Sequence, residues 1–149
     1  MNQQDGSFRN EALWGGTALN RVGQAEAGMG VDAADFDGDG DEDLFVTNLT
    51  EETNTLYVNQ GNGLFDERTI ESGLHLPSLR FAGFGPGWLD FDNDGRLDLV
   101  ALNGAVRTLF DQAREGSPLP PWGSPTICFR IQAPSCSGMS HIGPEPPFG

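Results

Sequence analysis

Short apolar runs alternate with stretches rich in Asp, Asn and Gly through the first three quarters of the chain. Residues 44–47 and 99–102 are such runs, and the first contains the β-branched and aromatic residues that favour strands. Residues 55–66 have the pattern of two strands around a Gly/Asn turn, which predicts a hairpin. The patterning therefore predicts an all-β chain built from short strands.

The pattern repeats with an offset of 55 residues. Five pairs of identical residues keep this offset: Ala27 and Ala82, Gly28 and Gly83, Gly30 and Gly85, Leu44 and Leu99, Asn48 and Asn103. A period of this length is typical of a solenoid or propeller, with one supersecondary unit in each repeat. Each repeat has room for about four short strands, as in one propeller blade. We therefore expect a partial β-propeller of about two four-stranded blades.

The chain start repeats part of the hairpin. Residues 2–8 match residues 59–65, and Gly16 matches Gly73 at the same offset. Residue 1 then falls at a hairpin turn inside a blade, without the strand that should precede it. The expectation is that the chain is a fragment of a longer protein and that Met1 is an internal codon.

Two acidic loops, residues 35–43 and 90–98, share the pattern D-x-D-x-D-G-x-x-D. Positions 1, 3, 5 and 9 offer carboxylates, and position 6 is a Gly where the chain must turn around an ion. Position 7 offers its backbone carbonyl, so its side chain is free to vary. The candidate metal ligands are Asp35, Asp37, Asp39, Asp41, Asp43, Asp90, Asp92, Asp94, Arg96 and Asp98.

Calcium is the cation that these loops suit best. Closely spaced carboxylates repel each other unless a cation lies among them, and Ca²⁺ takes six to eight oxygen ligands. Mg²⁺ prefers fewer carboxylates and more water. An EF-hand is excluded because position 12 is Val46 or Ala101 instead of Glu. The alternative is a polar surface turn, but two copies in one register favour about two bound Ca²⁺ ions.

Residues 28–48 and 84–104 resemble FG-GAP (VCBS-type) repeats, which build calcium-binding β-propellers, including that of the integrin α subunit. With residues 56–60 and 103–106, the run is similar to the cartilage acidic protein type of bacterial extracellular proteins. The resemblance implies the eight Asp ligands at positions 1, 3, 5 and 9, completed by the carbonyls of Asp41 and Arg96. It also implies an extracellular or periplasmic protein, although no signal peptide is visible in this chain.

Composition narrows the range of partners. The chain has 22 acidic and 8 basic residues and a net charge of −14. Nucleic acid is an unsuitable partner because binding it needs a basic face. An acidic surface also fits anionic membranes poorly, and no apolar run is long enough for membrane insertion.

Residues 117–149 differ from the rest, and we divide the chain into repeats at 1–116 and a tail at 117–149. Eight of ten prolines and both cysteines, Cys128 and Cys136, lie in the tail, whereas 21 of 22 acidic residues precede it. One explanation is an irregular, Pro-rich, disordered extension. The other is a reading-frame error near residues 121–130, in which case the cysteines have no meaning. Otherwise they could form a disulfide.

The sequence predicts no enzyme. His75 and His141 are the only histidines, and the common catalytic motifs are absent. Trp14, Trp88 and Phe84 could stack on a sugar, although packing between blades is the simpler interpretation. Asp32 could support the first loop or face solvent.

These features predict a calcium-binding propeller module in which calcium is structural. The parent protein would act in extracellular adhesion or bind a protein or carbohydrate ligand. The alternatives are an accessory domain of a secreted polysaccharide-acting enzyme, or a structural spacer. Two blades leave sheet edges open, so further blades of the parent chain or self-association are expected.

Overall fold

The computed structural model describes residues 1–104 and the backbone of residues 127–129. Short strands dominate this part of the chain, and both of its helices are single turns. In chain order the elements are α1 (Ala12–Gly15), β1 (Gly30–Ala34), β2 (Asp43–Thr47), β3 (Thr55–Asn59), β4 (Phe65–Glu67), α2 (His75–Ser78), β5 (Ala82–Leu89), β6 (Asp98–Gly104) and β7 (Ile127–Phe129).

The first sheet is an antiparallel meander in the order β1-β2-β3-β4. Acidic loop 1, residues 35–43, connects β1 to β2, with Ala34 opposite Asp43 in the register. Strands β3 and β4 pair with Asn59 opposite Phe65, which confirms the predicted hairpin. Four sequential antiparallel strands are the makeup of one propeller blade.

The second sheet has the order β5-β6-β7 and repeats the start of the first. Acidic loop 2, residues 90–98, connects β5 to β6, with Leu89 opposite Asp98. This register is that of β1 and β2 displaced by 55 residues. The sequence repeat is therefore also a structural repeat.

Strand β7 pairs with β6 through its backbone, with Ile127 opposite Ala101 and Phe129 opposite Leu99. It lies inside the segment 117–149 for which the sequence predicts an irregular tail. The rest of that tail, including Cys136, lies outside the described residues. The division at residue 117 stays a prediction.

The hydrophobic core lies between the two sheets. Phe36 of loop 1 stacks on Trp88 of β5, with ring centroids 5.5 Å apart, and Phe45 meets the same indole edge-on. The backbones approach closely here, since a Cβ on Gly30 would lie 2.6 Å from the carbonyl oxygen of Phe84. Buried core residues come from both sheets: Phe36, Phe45, Leu56, Val58, Leu74, Leu99 and Ala101.

The equivalent residues of the two loops differ in burial. Phe36 is 9% exposed because the second sheet covers it, whereas Phe91, at the same position of loop 2, is 51% exposed. Strands β1 and β2 both contact β5, so the two sheets pack as neighbouring layers. The all-β prediction is confirmed, and the arrangement is that of a partial propeller. Within the described residues, no helix is long and apolar enough to cross a membrane.

Candidate metal centre

Loop 1 is organised around the carboxylate of Asp35. Its Oδ1 accepts hydrogen bonds from the backbone N–H groups of Gly38 at 2.8 Å and Asp39 at 3.0 Å. Its Oδ2 accepts one from Gly40 at 3.0 Å. These bonds curl the backbone around the side chain at position 1, so that the carboxylates at positions 3 and 5 are held on the same loop.

Loop 2 reproduces this arrangement. Asp90 Oδ1 accepts a hydrogen bond from Asp94 N at 2.9 Å, and Asp90 Oδ2 accepts one from Gly95 N at 2.9 Å. In both loops the position 5 carboxylate also accepts the N–H of position 7, at 2.9 Å from Asp41 and 3.0 Å from Arg96. Two segments of different sequence therefore fold into one loop conformation.

Two positions in each loop have a left-handed backbone. At position 6, Gly40 and Gly95 have φ of 93° and 83°, which confirms the turn predicted there. At position 4, Gly38 has φ of 80° and Asn93 has φ of 58°. Position 4 was missed from sequence, although Gly and Asn are the residues that adopt this conformation most readily.

Position 9 anchors each loop to the sheet. Asp43 is 1% exposed and Asp98 is 7% exposed. Their Oδ2 atoms accept the backbone N–H of Phe36 at 3.3 Å and of Phe91 at 3.1 Å, respectively. Asp43 Oδ1 also accepts the N–H of Asn59 at 2.7 Å. The loop thereby gains a direct connection to β3.

The carboxylates of loop 1 disfavour their own ionisation when no cation is present. Burial raises the pKa of Asp37, and the negative charge of Asp39 raises it further. Burial also raises the pKa of Asp43, although hydrogen bonds from Asn59 and Phe36 partly offset the effect. A cation among these groups would stabilise their charged forms.

The electrostatics of loop 2 differ at one residue. The guanidinium of Arg96 donates to Asp94 Oδ2 at 2.6 Å and 3.1 Å. This hydrogen bond, with the backbone N–H of Arg96, lowers the pKa of Asp94. A carboxylate of loop 2 therefore has an internal positive partner.

Each loop brings three carboxylates together. Oxygen atoms of Asp35, Asp37 and Asp39 lie within 4.8 Å of one another, as do oxygen atoms of Asp90, Asp92 and Asp98. Such clusters of hard oxygen donors fit a calcium ion. Asp43 and Asp94 belong to neither group of three, and Asp41 and Arg96 were predicted to contribute backbone carbonyls. The ligand roles stay predictions.

The other candidate residues separate into packed and exposed positions. Trp88 packs between the sheets, as the simpler interpretation predicts, whereas Trp14 is 83% exposed. Phe84 is partly exposed, and His75 begins α2. Asp32 accepts the backbone N–H of Trp88 at 3.3 Å, so it connects β1 to β5. His141 lies outside the described residues.

A buried polar network at the other end of the first sheet was missed from sequence. The Asn48 amide donates to Glu26 Oε2 at 3.1 Å and to the Thr53 carbonyl at 2.7 Å, and its Oδ1 accepts the N–H of Gly28 at 2.9 Å. Thr55 Oγ1 donates to the same Glu26 oxygen at 2.6 Å. The recurrence of Asn at positions 48 and 103 was the available signal.

Comparison with protein families places both loops in one known pattern. Residues 35–101 are an FG-GAP-like repeat. The match begins at the first Asp of loop 1 and ends at Ala101 in β6, so it spans both acidic loops and the strands between them. An FG-GAP-like repeat indicates a module of the β-propeller type, in agreement with the two packed antiparallel sheets. No curated protein matches the chain significantly.

Proposed function

We propose that this protein is a calcium-binding β-propeller repeat module in which about two Ca²⁺ ions have a structural role. One observation carries the proposal: two loops 55 residues apart share one hydrogen-bond pattern, and each brings three carboxylates within 4.8 Å of one another. Isolated acidic turns have no reason to repeat in this way. The FG-GAP-like repeat that spans both loops supports the same interpretation.

The residues of loop 1 that would hold the ion are Asp35, Asp37, Asp39 and Asp43, with the carbonyl of Asp41. In loop 2 they are Asp90, Asp92, Asp94 and Asp98, with the carbonyl of Arg96. Bound calcium supplies positive charge that offsets the repulsion among the carboxylates. Because the loops connect β1 to β2 and β5 to β6, binding there stabilises the folded state by mass action.

The setting of the parent protein extends the proposal. A module with sites of modest affinity suits the millimolar calcium found outside cells, and we infer an extracellular or periplasmic protein of the cartilage acidic protein type. Its role would be non-enzymatic, in adhesion or in binding a protein or carbohydrate ligand. The net charge of −14 disfavours nucleic acid as a partner.

Thermal unfolding of the full chain tests the structural role of calcium. We expect the midpoint to rise on adding calcium and to fall again with EDTA, since a ligand at 100 times its Kd stabilises by about 2.7 kcal/mol per site. Magnesium at equal concentration should have a smaller effect. The double variant Asp35→Asn with Asp90→Asn should lose the response.

The matched control is Glu42→Gln, which removes one negative charge from loop 1 at position 8, where no ligand is proposed. It should keep the calcium response. A folded wild-type chain whose midpoint is the same in calcium and in EDTA would overturn the proposal.

A further inference from the structure

We infer that Arg96 competes with the cation for Asp94, so that the two loops fill in order, loop 1 before loop 2. The inference rests on the proposed function, since it concerns the same two sites. It goes further by assigning them different affinities and by naming the residue responsible.

The geometry of Asp94 carries the inference. Arg96 Nη2 and Nε donate to Asp94 Oδ2 at 2.6 Å and 3.1 Å, and the backbone N–H of Arg96 donates to Oδ1 at 3.0 Å. Both oxygens of this carboxylate are therefore engaged. The group of three converging carboxylates in loop 2 is Asp90, Asp92 and Asp98, without Asp94.

Loop 1 has no such competitor. Its position 7 is Asp41, and its position 5 carboxylate, Asp39, is one of the three that converge. The same position of the two loops thus faces the candidate centre in one case and an arginine in the other. For Asp94 to join a bound ion, its side-chain contacts with Arg96 must first break.

The net charge of the loops acts in the same direction. Residues 35–43 contain five Asp and one Glu, whereas residues 90–98 contain four Asp and one Arg. A divalent cation is attracted more strongly to the more negative loop. Ion pairing and net charge therefore both favour loop 1.

The size of the effect follows from exposure. The Arg96 and Asp94 side chains are 53% and 29% exposed, and exposed ion pairs contribute about 0.2 to 1 kcal/mol, which corresponds to about a 1.4- to 5-fold change in affinity. Removing the positive charge beside the ion adds to this change. Salt weakens both contributions, because the Debye length is about 8 Å at physiological ionic strength.

Calorimetric titration of the full chain with CaCl₂ tests the inference. The variant Asp35→Asn isolates loop 2 and Asp90→Asn isolates loop 1, so each affinity can be assigned. We expect loop 1 to bind several-fold more tightly than loop 2. In the Asp35→Asn background, Arg96→Gln should tighten calcium binding by about 2- to 10-fold at low salt, and the gain should shrink at 0.5 M NaCl.

Two further variants complete the design. Arg80→Gln removes the same charge just before β5, at the end of that strand opposite loop 2, and should leave both affinities within about 1.5-fold because screening acts over this distance. In the Asp90→Asn background, Asp41→Arg should weaken loop 1. Far-UV circular dichroism without calcium verifies that each variant folds like the parent.

The outcomes separate the two proposals. If the folded wild-type chain shows no calcium binding, the proposed function fails. If both loops bind calcium equally and Arg96→Gln changes nothing, the ordering inference is overturned while the proposed function stands. An equal gain from Arg80→Gln would also overturn it, because net charge alone would then explain the result.

Discussion

The carboxylate of Asp43 accepts a 2.7 Å hydrogen bond from the backbone N–H of Asn59, which lies at the end of β3. The Asn59 side chain answers by donating to the carbonyl of Glu42 at 3.0 Å. The last acidic residue of loop 1 is therefore fastened to the β3–β4 hairpin. A cation held by this loop would stabilise the sheet beyond the two strands that the loop connects.

This relationship predicts that Asp43 stabilises the fold even without calcium. Asp43→Ala leaves two backbone N–H groups without their carboxylate acceptor, at Asn59 and Phe36. We expect a loss of about 2 kcal/mol in the free energy of unfolding, measured by urea titration in EDTA. Asp41→Ala, at an exposed position of the same loop, should change it by less than about 0.5 kcal/mol. Equal effects of the two substitutions would contradict the anchoring role.

Asn48 should contribute stability through its buried network. Asn48→Ala removes the donors to Glu26 and Thr53 and the acceptor for Gly28, so polar groups lose their partners. We expect a loss of about 2 to 3 kcal/mol by urea unfolding. Gln60→Ala, at an exposed position, is the control and should stay within about 0.5 kcal/mol. A tolerant Asn48 would mean that water replaces the lost bonds.

Trp88 contributes packing rather than hydrogen bonding from its indole. Its Nε1 is buried and has no acceptor among the described residues, while its ring contacts Phe36 and Phe45. Trp88→Phe should therefore cost less than about 1.5 kcal/mol. Trp88→Ala should cost about 3 to 5 kcal/mol. Unfolding followed by circular dichroism measures both, and similar losses for Phe and Ala would show that the indole N–H matters.

Tyr57 predicts how stability falls at alkaline pH. Burial, with the charges of Glu26 and Glu67, raises the pKa of Tyr57 to about 12. An unfolded tyrosine ionises near pH 10, so the unfolded state loses its proton first. Stability should be constant below pH 10 and decline between pH 10 and 12.

The chain has one tyrosine, so the rise of tyrosinate absorbance near 295 nm reports this residue alone. The folded protein should titrate well above the urea-unfolded chain. Coinciding titration curves would show that the phenol is solvated in the folded state. Tyr57→Phe should remove the decline in stability that this group causes.

The repeat made much of the fold predictable. The apolar runs at 44–47 and 99–102 fall within β2 and β6, and the Gly/Asn turn at 60–64 connects β3 to β4. These features depend on residues close in sequence, where strand and turn preferences act directly. The loop conformation was predictable for the same reason, since each Asp captures backbone N–H groups only a few residues away.

Contacts between distant residues were not predictable. The stacking of Phe36 on Trp88 and the bond from Trp88 to Asp32 depend on how two sheets pack, which local patterning does not specify. The Asn48 network likewise joins residues more than 20 positions apart. The pairing of Arg96 with Asp94 is local, but its effect on loop 2 emerges only when the converging carboxylates are compared between loops.

The central claim is that two loops of this chain each bind one calcium ion. Equilibrium dialysis of the full chain against saturating calcium, with bound metal counted by atomic absorption, tests it most directly. We predict close to two ions per wild-type chain, one for Asp35→Asn, one for Asp90→Asn and none for the double variant. A folded wild-type chain that binds no calcium, or single variants that still bind two ions, would contradict the account.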